Sequence, residues 1–264
     1  MYFKNKVIWI TGASSGIGEA LSVLLDKEGA ELIISGSNKE KLEKVFNKIS
    51  TKNKHHMVVA FDLSNPEEIK KAAGYVLKNK EHIDILINNG GISQRSYAAD
   101  TPIEVDRKIM EINFFGNIYL TKLVIPRMID YGNGHIVAIS SITGKFGFPL
   151  RSAYSASKHA LHGFYDSLRA EIKKNNLKVT VICPGRIKTN ISLNAITRDG
   201  SKYGIMDSGQ EKGMTAEKLA EKVLHAIRKY KKEPVIGGPE ILMVYIKRFL
   251  PALYFKIASK LKPT

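Results

Sequence analysis

Cysteine occurs once in this sequence, so no disulfide can close within the chain, and the place of Cys183 in the apolar run VTVIC marks it as a buried strand residue. No run of about eighteen apolar residues occurs, which excludes a conventional membrane span. The N-terminal MYFKNKVIWITG runs straight into a strand-like segment without a signal-peptide pattern, so the expected location is cytoplasmic. Acids are scarce: 25 Asp plus Glu stand against 41 Lys plus Arg, a formal net charge of +16. Such an excess can serve nucleic acid, anionic lipid or phosphorylated ligands. Here the lysines spread over the whole chain instead of clustering with aromatics, so a solvated surface is the preferred reading and no nucleic-acid partner is expected. Seven histidines are scattered. His159 and His162 can share a helix face, yet no third ligand stands at metal spacing, and no metal site is expected.

What is present is alternation. Short Val- and Ile-rich runs at Val7 to Thr11, Glu31 to Ser35, Met57 to Phe61, Ile83 to Asn88, His135 to Ser140 and Lys178 to Cys183 read as strands covered on both faces. Between them Glu19 to Glu28, Lys39 to Ile49, Pro66 to Lys78, Pro102 to Ile129 and Tyr154 to Lys173 carry helical periodicity, with Asn65-Pro66 and Thr101-Pro102 as helix starts. Strand and helix taking turns predict an α/β fold: a Rossmann-type doubly wound parallel sheet of about seven strands with helices on both faces. Residues 1–264 form one domain. From 190 to 213 the pattern breaks into polar, glycine-containing sequence, expected to be a substrate lid or disordered. A helix from Ala216 to Lys229, a strand from Pro234 to Ile236 and an apolar, basic tail from 240 to 264 follow.

The first strand ends in TGASSGIGEA. Gly12, Gly16 and Gly18 let backbone approach a ligand, and the following helix N-terminus offers unpaired N–H groups to an anion. At the first strand-to-helix turn this loop reads as a dinucleotide pyrophosphate cradle. Gly-Lys-Ser/Thr is missing, which excludes the nucleoside triphosphate cradle. At the end of the second strand SGSNK places Gly36, Ser37, Asn38 and Lys39 where a carboxylate would bind the ribose of NAD and repel a 2′-phosphate. With no acid there, NADP(H) is favoured over NAD(H), although the expected arginine is also absent.

YSASK sets Tyr154 four residues before Lys158, on one helix face. The plain alternative is a surface cation resting on a ring. A phenol titrates near pH ~10, and bringing it to ~7 takes about 4 kcal/mol, more than one exposed pair provides. Burial, a second cation or a bound cofactor has to contribute.

TGASSGIG, Asp62-Leu63, NNGG at 88 to 91, Asn113 in INFFGN, AISSITG, YSASK and the Pro184-Gly185 of CPGRIKT together resemble the short-chain dehydrogenase/reductase family across residues 5 to 190. NNGG stands where NNAG is commoner. The resemblance implies that Tyr154 is the general acid or base, that Lys158 lowers its pKa and holds the nicotinamide ribose, and that Ser141, rather than Ser140, bonds the substrate oxygen. It implies that Asn113 binds a water linking Lys158 to solvent. For the cofactor it implies the cradle of Gly12, Ser14, Ser15, Gly16, Ile17 and Gly18, with Ser37, Asn38 and Lys39 near the adenosine ribose. Asp62 and Leu63 would flank the adenine, Asn89 would contact the adenosine side, and Pro184, Gly185, Ile187 and Thr189 would lie at the carboxamide.

A homodimer or homotetramer is implied too. SSITGKFGFPLRSAYSASKHAL is similar to the branch holding the 11-beta-hydroxysteroid dehydrogenases and lipid-ketone reductases. Substrate contacts are expected from Gln94 to Ala98, Lys145 to Leu150 and 190 to 213, and KFGFPL suits an apolar ketone or secondary alcohol, unless Phe146 and Phe148 are only core. The tail carries Lys247, Arg248, Lys256, Lys260 and Lys262 with no acid after Glu240. It reads as an interfacial helix divided at Pro251, as a subunit contact or as a flap over the site. Two other function classes stay open at this point: a catalytically idle nucleotide-binding scaffold, and a membrane-surface or regulatory binder resting on charge.

Overall fold

Short runs that are apolar at every position can satisfy both faces only in the middle of a sandwich of helices, and that is where they lie in the computed structural model, which describes residues 2–49 and 55–260. The strands are β1 (Val7–Thr11), β2 (Glu31–Gly36), β3 (Met57–Ala60), β4 (Ile85–Asn88), β5 (Gly134–Ile139), β6 (Leu177–Pro184), β7 (Ile187–Lys188), β8 (Met214–Thr215) and β9 (Val235–Ile236). A seven-stranded sheet runs in the order β3-β2-β1-β4-β5-β6-β9. Every pairing in it is parallel, with Trp9 opposite Ile33 on one side and Leu86 on the other. β7 and β8 form a separate parallel pair. The fold class read from the alternation, a Rossmann-type doubly wound sheet, is the one observed.

Strand side chains alternate between two cores. Ile8 and Ile10 of β1 join one, with Leu21 and Leu25 of α1 (Gly16–Lys27), Leu42 and Val45 of α2 (Lys39–Ile49), and Leu219 and Val223 further along the chain. Val7 and Trp9 point the other way. They meet Ile69 and Val76 of α3 (Pro66–Asn79), together with Leu120, Val124, Leu161 and Tyr165. Burying each such side chain contributes roughly 1.5–3 kcal/mol, so the two cores dominate the stability. Asn65 caps α3, its side chain accepting from Glu67 and Glu68 N–H, with Pro66 as the first helical residue.

The expected helix from Pro102 to Ile129 is instead α4 (Ile103–Met110), a π-helical turn over Glu111–Phe115 and α5 (Gly116–Tyr131). The wider turn inserts one residue into the helical repeat and re-aims the side chains inside it, Asn113 among them. α6 (Ser152–Glu171) carries Tyr154 and Lys158 on its buried side.

The segment 190–213 is docked. Ile196 bridges to Gln94 and Lys202, Ser192, Ala195 and Asp207 are buried, and a short helix α7 (Ser208–Glu211) precedes β8. Beyond α8 (Ala216–Arg228), Pro251 divides the tail into α9 (Leu242–Phe249) and α10 (Pro251–Ala258). Lys262 lies outside the described residues. Among the described residues no helix is long and apolar enough to cross a membrane.

β1 is followed outward by β2 and β3, after which the chain returns to place β4 on the other side of β1. This reversal opens a crevice at the carboxyl ends of β1 and β4, the place where open α/β sheets bind ligands.

Candidate active site

The crevice continues into a cavity of about 750 Å³ lined at one end by the glycine loop and at the other by Ser141, Tyr154 and Lys158. Gly12 and Gly16 have positive φ, 62° and 57°. A Cβ on Gly18 would stand 2.3 Å from the Gly12 carbonyl oxygen, so only glycine packs α1 this close to β1. Ser15, the residue before α1, makes no side-chain cap bond, leaving the helix N-terminal N–H groups to the crevice. The site therefore fits a pyrophosphate.

Gly12, Ser14, Ser15, Gly16, Ile17, Ser37, Asp62, Leu63, Asn89, Tyr154, Lys158, Pro184, Gly185, Ile187 and Thr189 all line the cavity. Gly18 lies beneath it. Asn38 and Lys39 do not line it: the Asn38 side chain accepts from Lys41 N–H at 2.8 Å and starts α2, and both residues are exposed. Asn89 turns its amide onto the glycine loop, donating to the Thr11 and Gly12 carbonyls at 3.0 and 3.1 Å. Thr189 stands over Gly16, where an added Cβ would meet its Cγ2 at 3.1 Å.

Around Tyr154 the four expected residues are brought together. Ser141 stands beside the Tyr154 phenol, close enough to favour its ionised form. Lys158 Nζ lies 5.7 Å from the Tyr154 ring centroid and donates to the Ile139 carbonyl at 2.8 Å. Asn113 is clamped inside the π-helical turn, its Oδ1 accepting from Ile92 N at 2.8 Å and its Nδ2 donating to Ile92 O at 2.9 Å. Ser140 faces elsewhere, to His162 Nε2 at 3.0 Å and the Lys158 carbonyl at 3.3 Å. Two successive extended residues point to opposite sides, and that alternation separates the serines.

The electrostatics differ from the expectation in one respect. Burial raises the Tyr154 phenol above its ordinary 10; the neighbouring Ser141 hydroxyl and the charges of Arg151 and Arg95 pull it back down. Burial thus opposes the phenolate, and the second cation is supplied by arginine. The ammonium of Lys158 is itself brought down to about 8 by burial.

Gln94, Arg95, Arg151 and Asp207 had no motif to announce them. Gln94, expected near substrate, does not line the cavity: its Oε1 accepts from Ala153 N at 2.9 Å and so caps α6. Arg95, Ser96, Tyr97 and Ala98 do not line it either, while Ser93 does. Arg95 and Arg151 share Asp207, with Arg95 Nη2 and Arg151 Nη2 both on Oδ2, the latter at 2.8 Å. Arg151 stands just before α6, beside YSASK, which was its one sequence signal. Phe146 and Phe148 line the cavity and also pack on the C-terminal helices, so they are not only core. His162, Cys183 and Glu233 place ligand-type atoms within 4.8 Å, which no spacing revealed. Both His162 nitrogens have partners there, Glu233 at 2.6 Å and Ser140 at 3.0 Å.

A glycine cradle at the switch point, with a tyrosine, a lysine and a serine on the cavity wall and a buried asparagine behind them, matches a known pattern, and residues 6–199 fit the family model described as short chain dehydrogenase. The chain belongs to that family. Short-chain dehydrogenases similar to it include the mouse protein named dehydrogenase/reductase SDR family member 7B, 45% identical over 263 residues, covering 98% of this chain and 81% of that protein. A Drosophila melanogaster protein named SDR family protein 7-like is 42% identical over 261 residues, covering 97% and 80%.

Among solved structures, a short-chain dehydrogenase/reductase from Burkholderia phymatum in complex with NAD superposes with a TM-score of 0.86 at 20% identity, covering 100% of this chain and 99% of that one. An alcohol dehydrogenase from Thermococcus sibiricus complexed with 5-hydroxy-NADP gives 0.77 at 22% identity, covering 89% and 97%. These two likenesses speak to the fold. Family membership makes the chain an oxidoreductase of the NAD(P)-binding type.

Proposed function

We propose that this short-chain dehydrogenase is an NADP(H)-preferring oxidoreductase that interconverts an apolar, lipid-like ketone and its secondary alcohol, with Tyr154 as general acid and base. The observation that carries the reading is the pairing of the Tyr154 phenol with Ser141 on the wall of a cavity that runs on into the glycine cradle. Gly12, Ser14, Ser15, Gly16, Ile17, Asp62, Leu63 and Asn89 would hold the adenosine and pyrophosphate part, and Pro184, Gly185, Ile187 and Thr189 the nicotinamide end. When bound, the nicotinamide accepts or supplies the hydride.

Reduction of a carbonyl leaves an alkoxide, which needs donors already in place and a proton in a site shielded from water. Ser141 Oγ–H and the Tyr154 phenol, neighbours on the cavity wall, would provide both. Arg151 and Arg95 favour the phenolate left behind. Re-protonation would run by way of Lys158 and Asn113. A Cβ on Gly91 would sit 3.0 Å from Asn113 Oδ1 and 3.6 Å from Lys158 Nζ, so glycine at 91 keeps the gap between the two open.

Support for the cofactor preference comes from the end of β2, where Ser37 lines the cavity and the stretch SGSNK holds no carboxylate. Support for an apolar substrate comes from Phe146, Phe148, Ile191 and Met243 on the far wall.

The test is NADPH oxidation against a panel of ketones by the wild type and Tyr154→Phe. Wild-type turnover with a loss of at least about 10²-fold in kcat for the variant is expected, the usual span for a positioned general acid. Equal turnover by the two proteins would remove the mechanism, and absence of turnover with retained NADPH binding would favour an idle nucleotide-binding scaffold.

A further inference from the structure

Of the fourteen large apolar side chains exposed among the described residues, six lie between 242 and 255: Leu242, Tyr245, Phe249, Leu250, Leu253 and Phe255. Phe249 is 73% exposed and Phe255 59%. The helices that carry them are firmly seated by their other side. Met243, Val244, Ile246, Tyr254 and Ala258 pack on Ile142, Phe146 and Phe148, and the Tyr254 hydroxyl donates to the Gly147 carbonyl. Glu240 anchors the base of α9, its Oε1 accepting from Arg186 N at 2.8 Å and Gly238 N at 3.0 Å. An apolar face this concentrated on a well-held element is an interaction surface and not a frayed end.

Charge decides the occupant. Arg248, Lys256 and Lys260 are exposed beside the apolar set, Lys247 lies 3.9 Å from the Phe255 ring centroid, and no acid follows Glu240. A second copy of this face would bring the same cations against each other, whereas an anionic lipid surface complements both the cations and the apolar side chains between them.

We propose that α9 and α10 dock this protein onto anionic membrane surfaces, with Phe249, Leu250, Leu253 and Phe255 entering the headgroup boundary. Met243 of α9 and Glu240 of the turn just before it line the cavity, so docking turns that wall of the cavity toward the bilayer. Entry of an apolar carbonyl compound by this route rests on the oxidoreductase reading; docking itself does not.

The experiment is sedimentation of the full chain with vesicles of phosphatidylcholine alone or of phosphatidylcholine with phosphatidylserine. Phe249→Glu with Phe255→Glu, and Arg248→Glu with Lys256→Glu, are the two variants, and all four substitutions fall at exposed positions. Wild type should bind the anionic vesicles at least tenfold better than the neutral ones, weaken as salt rises, and lose that binding in both variants, while turnover of a water-soluble ketone is unchanged. Wild type remaining in the supernatant, or variants that sediment as wild type does, would overturn the proposal. So would a wild-type dimer that both variants convert to monomer without any vesicle binding, the outcome that assigns the face to a second copy. Sedimentation needs no turnover, so a failure of docking and a failure of the enzymatic reading show separately.

Discussion

Ser140 and Ser141 are adjacent, identical and both on the cavity wall, and they do different things because the chain there is extended. Ser141 meets the Tyr154 phenol and accepts from Thr143 N–H at 3.1 Å; Ser140 ties the end of β5 to His162 of α6. Ser141→Ala should lower kcat about 10²-fold to 10³-fold, the loss seen on removing one donor to a developing oxyanion. Ser140→Ala should leave kcat nearly unchanged and cost about 1 kcal/mol of stability, the net worth of a hydrogen bond. Steady-state kinetics and urea melts on the two variants decide between these assignments, and a larger kinetic loss at 140 would exchange them. Ser37 allows a second residue-scale expectation. Ser37→Asp places a carboxylate where a 2′-phosphate would sit, adding a repulsive element against NADP(H) while leaving a partner for the ribose hydroxyls of NAD(H). The ratio of kcat/KM for NADPH over NADH should drop by about tenfold or more, equivalent to about 1.4 kcal/mol. An unchanged ratio would mean that this position does not read the phosphate.

At the scale of elements, Asp207 fastens the 190–213 segment to the catalytic helix. It receives Arg95 from the loop after β4 and Arg151 from the start of α6, and all three side chains are largely out of solvent. Asp207→Ala leaves two guanidinium groups beside each other without a counter-charge, which should destabilise the fold by about 3–5 kcal/mol. Asp207→Asn, which keeps the shape, should cost less but raise KM by loosening the cavity wall; thermal melts and KM for ketone check both. None of these partners could be paired from the sequence, since Asp207 stands 112 residues from Arg95. The sheet was legible because a strand buried on both faces has to be apolar throughout, and the turn glycines and YSASK were legible because their chemistry is local. The π-helical turn was not: one inserted residue leaves the periodicity of IEVDRKIMEINFFGN looking like a single helix. Gln94 was misread as a substrate contact because its position next to NNGG gives no sign that it reaches 59 residues ahead to cap α6.

For the molecule as a whole, a net charge of +16 means that further protonation adds to existing repulsion. Two buried histidines make this specific. His135 is pushed down to about 3, by burial first and then by Lys178 and Lys6. Burial and Lys145 bring His162 down to about 4, against the pull of Glu233. Both folded-state values lie below the unfolded value of about 6.5. Between about 6.5 and 4, therefore, the unfolded chain binds a proton at each site and the folded chain does not, so stability rises with pH across this window and falls as pH drops through it. Well below 6.5 the slope should approach about 1.4 kcal/mol per pH unit for each histidine. Urea unfolding at pH 7, 6, 5 and 4.5 should show the decline, and His135→Gln should remove its share of the slope because the glutamine binds no proton in either state. Carboxylates titrating in the lower part of the range act on both proteins alike, so the difference between the two curves isolates the histidine. Parallel curves for wild type and variant would mean that His135 is protonated in the fold, and that its buried ring, held by Thr180 at 2.8 Å, carries its charge without unfolding the sheet around it.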